Sequence, residues 1–334
     1  MAGAGFDPRA VVAAELIAQL AGPLAQGYFL REERPQPDPE LVARADAHEQ
    51  KLLELFPGSV VDRVQIFAPD NAVIGGRAAV GMVNALPLDG LTDVFVDLSA
   101  FSIGIAFPVV RHLLEVAENH GLNLHVLVTD EPGTDDGIES TASEVADTVH
   151  GFRGGWGLHE HSRAARLWMP QLARGKNSVL ERIHQRVQPH AVCPILPFPA
   201  ANPRLPDELI EYYREEFENA WEVDARDIVY ASEHGPVDLY RTILRMDDAR
   251  KRVFAEVGGS QIILSPAGSK ALAVGALMAA LERDFTIMYV EALGYAVNFA
   301  QLDAARAARP GDLVHVWLYG DAYGTITPKE VTGR

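Results

Sequence analysis

Gln261-Ile262-Ile263-Leu264-Ser265-Pro266-Ala267-Gly268-Ser269-Lys270 runs into an Ala-rich stretch that ends near Glu282. Its apolar run, Ile262 to Leu264, has the length and composition of a buried strand. A turn of small residues follows, and Ala271 to Met278 then supply good helix formers. The stretch reads as strand, tight loop and helix, with a lysine where the helix begins. Loop amides and the positive end of the helix dipole converge there, which is the physical recipe for holding an anion such as phosphate. Strands that enter helices through such short loops belong to doubly wound sheets, which bind ligands at strand carboxyl ends.

The same rhythm extends upstream. Arg63 to Phe67 and Asp93 to Leu98 read as strands, and Asn123 to Val128 as a third. The helix Phe107 to His120 is closed by Gly121, as a helix end should be. Downstream, Arg166 to Met169, Ala191 to Pro197, Asp227 to Ala231 and Thr286 to Glu291 continue the strand series. Leu313 to Tyr319 reads as a last, antiparallel strand. The expected fold class is α/β: a Rossmann-like, doubly wound, mostly parallel sheet or sheets. Residues 1–60 are expected to form a helical extension, with helices over 8–26 and 38–55 joined by the Pro-rich connector Arg31 to Pro39. Residues 61–135 would be one Rossmann-like half and 165–334 a second. Between them, 136–164 reads as a Gly-rich mobile segment. No tandem repeat is visible, and periodicity does not say whether the halves share one sheet.

With 334 residues, 48% of them hydrophobic, the chain has core enough for one large or two modest domains. A formal net charge of −17 argues against a polyanion-binding face and hence against duplex nucleic acid. Cys193 is the single cysteine, so no intrachain disulfide and no cysteine-based metal site is expected. Glu15, Gln19 and Gly22 interrupt the apolar positions of the first helix, which excludes a signal peptide or membrane span there. The chain reads as cytoplasmic.

Besides Ser265, Gly268, Ser269 and Lys270, a second strand-to-helix loop, Asp97-Leu98-Ser99-Ala100-Phe101-Ser102-Ile103-Gly104, carries small hydroxyl residues and a glycine. Asp97, Ser99, Ser102 and Gly104 are ligand candidates; the plainer job for Asp97 is a helix cap. Arg153, among Gly151, Gly154, Gly155 and Gly157, could clamp an anion, or mark a hinge. Tyr295 and Asn298 could add a stacking face and an amide. As acid/base or metal candidates there remain Asp97, Glu233 and Asp238, the last also a good helix cap. His159-Glu160-His161 lacks further ligands at a recognised spacing, so no metal site is assigned. Asp130, Glu131, Asp135 and Asp136 read as a solvated acidic loop, or as a weak cation site.

The Ser-Pro-Ala-Gly-Ser-Lys turn, its Ala-rich helix and the strand Ile287 to Glu291 resemble the ligand-binding half of CARF-type and SAVED-type Rossmann-like domains. Those domains sense cyclic oligonucleotides in prokaryotic defence systems. Gly268, Ser269 and Lys270 fall on their phosphate-contacting turn, while Ser265-Pro266 departs from it. The resemblance implies a sensor of a phosphate-bearing, nucleotide-like ligand, working with a protein partner or as a homo-oligomer. No nuclease signature accompanies it, and no cofactor is indicated. A metal-assisted nucleotide or sugar-phosphate hydrolase or transferase is the alternative. An assembly subunit that docks through its N-terminal helices is a third.

Overall fold

In the computed structural model, which describes residues 1–135, 137–158, 163–308 and 311–323, the strands fall into two sheets. The first half of the chain runs β1 (Ala2–Gly3), α1 (Val12–Ala21), β2 (Tyr28–Glu33), α2 (Pro39–Leu55), β3 (Val60–Gln65) and α3 (Gly75–Val83). It continues through β4 (Asp93–Asp97), α4 (Ile103–His120), β5 (Asn123–Asp130), the single turn α5 (Pro132–Asp135) and β6 (Ile138–Thr148). The second half repeats that order. It comprises β7 (Ala165–Pro170), α6 (Asn177–Val187), β8 (Ala191–Val192), β9 (Ile195–Pro197), α7 (Leu205–Tyr212), β10 (Val229–Ala231) and α8 (Pro236–Phe254). After these come β11 (Ser260–Ser265), α9 (Lys270–Arg283), β12 (Thr286–Val297), α10 (Phe299–Ala308) and β13 (Asp312–Tyr319).

The first sheet has the order β13-β5-β4-β1-β2-β3, parallel except for β13. In the second, β6-β12-β11-β7-β8, only β6 is antiparallel. A parallel bridge from Gln171 to Ile195 keeps the register that pairs Leu167 with Ala191, so β8 and β9 are one strand interrupted at Pro194. Since β9 also pairs with β10, the second sheet reads β10-β9-β7-β11-β12-β6. Both halves therefore share one doubly wound topology with an antiparallel strand at the same edge. That last strand is exchanged: β6 pairs with β12, and β13 pairs with β5.

The exchange and the duplication correct two expectations. Residues 1–60 do contain α1 and α2, but β1 and β2 are strands of the first sheet, and β1 lies between β2 and β4. Two-residue β1 has no periodicity to read, and Tyr28-Phe29-Leu30 runs straight into Arg31-Glu32-Glu33. Within 136–164, β6 is a strand of eleven residues, and the glycine turn after it is docked tightly. Phe152 is fully buried against Phe107, and the backbone N–H of Ile287 donates to the Phe152 carbonyl. Gly154 sits at φ +50°, where a Cβ would come within 2.6 Å of the Asp284 carbonyl oxygen. Asp136 and the His159-Glu160-His161 run lie outside the described residues.

Helix α9 is apolar all round, as its Ala-rich sequence suggests, and is buried along most of its length against α8, with β5 of the first sheet also in contact. Helix α4 reaches the opposite way. Its Arg111 pairs with Asp284, and Gly104 lies against Tyr289 and Glu291 of β12. The largest hydrophobic cluster joins residues of both halves, for example Ile105 and Val126 with Leu264 and Leu277. Gly121 closes α4 in the left-handed conformation at φ +67°.

Candidate functional site

Carboxyl ends of strands from both sheets open on one cleft of about 1180 Å³. Its walls follow from the duplicated topology. The β4–α4 and β11–α9 loops occupy equivalent places in their halves, and Ser102 and Ser269 are the respective N-caps. Both loops line the cleft, together with the loops after β1 and β7 and the end of β2.

The first-half wall is built on Gly3-Ala4-Gly5-Phe6-Asp7-Pro8-Arg9. A Cβ on Gly3 would meet Phe101 at 3.1 Å, so a glycine lets the two loops approach. Asp7 caps the turn that begins at Pro8 by accepting from the Arg9 backbone. Its carboxylate also takes the Arg9 guanidinium, with Nε to Oδ1 at 3.0 Å and Nη2 to Oδ2 at 2.7 Å. A second carboxylate, Asp135, meets Nη2 at 2.8 Å. Arg9 is 1% exposed, and its Nη1 is buried without a hydrogen-bond partner among the described residues.

From the second half, Lys270 opens α9 and reaches across the cleft to the Phe101 carbonyl at 2.5 Å. Burial lowers its pKa, and the Arg9 charge lowers it further, against the pull of Asp135, Asp7 and Glu32. Ser269 caps α9 by accepting from the Leu272 backbone, and its hydroxyl donates to the Glu233 carbonyl. Ser102 does not cap α4 with its hydroxyl, which is buried without a partner among the described residues, while its backbone N–H donates to Glu32 at 2.7 Å.

Glu32 is braced in turn by Arg34, which also reaches Glu291 at 3.0 Å and the Ala292 carbonyl at 2.9 Å. The Arg34 guanidinium stands 5.0 Å from the Tyr295 ring centre, and Phe6 lies 5.3 Å from the same ring. Cations, hydroxyls and aromatic faces thus meet in one cleft. Lys176 adds a further ammonium; burial lowers its pKa, against the pull of Asp135 and Glu139.

Of the candidates read from sequence, Ser102, Gly104, Ser265, Gly268, Ser269, Lys270 and Glu233 line the cleft. The Ser265 hydroxyl is committed to the core, accepting from Trp168 and donating to the Met288 carbonyl. Four others are placed elsewhere. Asp97 is buried behind the β4–α4 loop, where Oδ1 accepts from the Ser99 backbone and hydroxyl, and burial raises its pKa to about 6. Ser99 spans inward as well, accepting from the Thr129 backbone. Arg153 turns back to the Trp156 carbonyl at 3.0 Å and closes its own glycine turn. Asp238 lies in the first turn of α8, whose N-cap is Gly235, and accepts from the Ser232 backbone upstream, so it ties the preceding loop and does not cap the helix. Among the described residues no group of three or more His, Cys, Asp or Glu side chains could hold a metal ion.

Sequence reading did not assign Phe6, Asp7, Arg9, Arg34 or Asp135 to the site. The one available signal was the Gly-x-Gly spacing of Gly3 and Gly5 ahead of an Asp-Pro helix start, obscured by so short a strand.

Comparison with known families finds no protein-family model that matches the chain, and no significant match among curated proteins. Among the described residues no helix is long and apolar enough to cross a membrane.

Proposed function

We propose that the cleft binds a phosphate-bearing, nucleotide-like ligand, and that the protein is a sensor or regulatory component of a prokaryotic defence system. One observation carries the ligand class: buried Arg9, whose Nη1 has no hydrogen-bond partner among the described residues, stands beside a second, half-buried cation, Lys270. Arg9 is paired with Asp7 and Asp135, but its charge still acts unfavourably on Lys270, at a cost. An anion entering between them offsets that cost. The Ser102 hydroxyl and the first-turn amides of α4 and α9 add donors. Phe6 and Tyr295 supply aromatic surface of the kind on which a nucleobase stacks. A sensing role is supported by the origin of the walls in both halves, since a ligand touching both biases how they are held.

The test is mass spectrometry of small molecules released on denaturing the purified protein, wild type beside Lys270→Ala. A nucleotide found in wild type and lost in the variant is the expected result. An empty wild type with no thermal shift from mono-, di- or cyclic nucleotides removes the reading.

The hydrolase or transferase alternative keeps one specific support. Glu233, 3% exposed, lines the cleft beside His234, whose Nδ1 contacts the Asp130 carboxylate. Nucleotide turnover that needs a divalent ion and is lost in Glu233→Gln would favour it. For a protein partner or homo-oligomer, Leu16, Leu20 and Leu24 stand exposed at four-residue intervals along α1 and the turn after it. Deleting residues 1–58 does not test this, because β1 and β2 would go with them.

A further inference from the structure

One carboxylate bonds one cation of the cleft and acts electrostatically on two others. Asp135 accepts from Arg9 Nη2 at 2.8 Å and lines the cleft with Lys176 and Lys270. Its charge acts favourably on both ammonium groups. Two of the three come from the second half of the chain, whereas Asp135 ends α5 of the first. The acidic loop read from sequence as solvated thus delivers a carboxylate to the part of the cleft that Arg9 lines.

Two carboxylates bound to groups that suit an incoming anion differ in how firmly they are held. Glu32 sits at the N-terminus of α4, but Arg34 ties down its second oxygen. Asp135 is 38% exposed on its side chain, and among the described residues Arg9 is its hydrogen-bonding partner. Asp7 already gives Arg9 a bidentate partner, so the guanidinium does not depend on Asp135 to remain paired.

We propose that Asp135 is a built-in competitor that occupies the anion site of the ligand-free protein and is displaced when a phosphate group binds among Arg9, Lys176 and Lys270. This rests on the ligand reading above. The contact is autoinhibitory: it sets a threshold of ligand charge and concentration below which the site stays closed to weak anions. Because α5 precedes β6, which pairs with β12, displacement of Asp135 acts on the strand exchanged into the second sheet.

The test is isothermal titration of the full-length protein with pyrophosphate, comparing wild type, Asp135→Asn and Asp135→Ser. Removing the competing charge is expected to tighten binding about tenfold, equivalent to ~1.4 kcal/mol, in both variants. Binding by the variants alone, with none in wild type, supports the proposal equally. If wild type binds and the variants bind equally or more weakly, Asp135 orients Arg9 for the ligand, and the competitor role fails while the ligand reading stands. If none of the three binds, both fall.

Discussion

Lys270 and Phe101 belong to different halves of the chain, yet the lysine ammonium donates to the phenylalanine carbonyl over 2.5 Å. The contact joins the first residue of α9 to the loop that leads into α4. Both residues line the cleft between the halves.

Lys270 is held in the folded protein at a lowered pKa, mainly by burial and then by Arg9. Such a lysine weakens the fold at neutral pH, and that cost fades as pH rises through the folded value towards 10.5. Lys270→Met should leave the ligand-free protein at least as stable as wild type at about pH 7. It should also lose about 1.5–3 kcal/mol of phosphate-ligand binding, the range for hydrogen bonds to charged groups. Thermal melts with and without nucleotide read both effects. A lower melting temperature with binding intact would contradict the assignment.

Arg9 is structural as well. Burial alone would raise the Asp7 carboxyl, but the Arg9 charge and hydrogen bonds hold it below its ordinary value. A carboxylate held in this way stabilises the fold above its unfolded value of 3.8 and loses that contribution as pH falls through the lowered folded value. In Arg9→Met burial is opposed only by the weaker pull of Lys270, so the variant loses stability as pH rises. The expected cost is about 3–5 kcal/mol near neutral pH, as for a buried pair stripped of one partner, and clearly less near pH ~4. Urea unfolding at the two pH values is the check. An equal cost at both would remove the electrostatic account.

Asp97 behaves in the opposite sense. Burial raises it to about 6, with the Ser99 hydrogen bonds pulling partly back, so the fold favours its protonated form. Wild-type stability should fall between 3.8 and about 6 on this account and stay level above. Asp97→Asn should recover up to about 3 kcal/mol above that window, the value of a two-unit shift, with no gain near pH ~4. Nucleotide binding should be unchanged, because Asp97 does not line the cleft. A binding loss comparable to that of Lys270→Met would return Asp97 to the site.

Gly104 has space for nothing larger. A Cβ there would come within 2.5 Å of Glu291 Oε2 and 3.1 Å of the Tyr289 ring. Glu291 is buried and tied to Arg34, so it has little freedom to yield. Gly104→Ala should cost about 1–3 kcal/mol by overpacking, read from the denaturation midpoint. An unchanged midpoint would show that the contact between α4 and β12 is looser than these distances.

The parallel strands with continuous apolar runs, β5, β7, β11 and the start of β12, were legible in the sequence, as was the left-handed glycine that closes α4. So was the β11–α9 turn, because Ser269 and Lys270 stand where local helix signals place them. What sequence could not give is what tertiary pairing supplies. β1 is two residues long and exists only because β2 and β4 flank it. β6 is polar along much of its length and is a strand because β12 receives it. Nothing in the sequence brings Arg9, Arg34 and Asp135 together; they meet only once Asp135 reaches Arg9 across 126 residues and Glu291 reaches Arg34 across 257. Asp97 misled for the converse reason, since a strand-end aspartate can turn inward to its own serine as readily as outward.

The exchanged edge strands also set the order in which the protein can be finished during synthesis. β5, with Leu124, Val126 and Val128 all buried in the completed fold, emerges from the ribosome nearly two hundred residues before β13, whose Val314, Val316 and Leu318 lie beside it. Until then one rim of the first sheet has no neighbour, the condition under which sheet edges recruit other chains. The nascent protein therefore carries an unsealed rim through most of its translation, and its last described strand is the one that seals it.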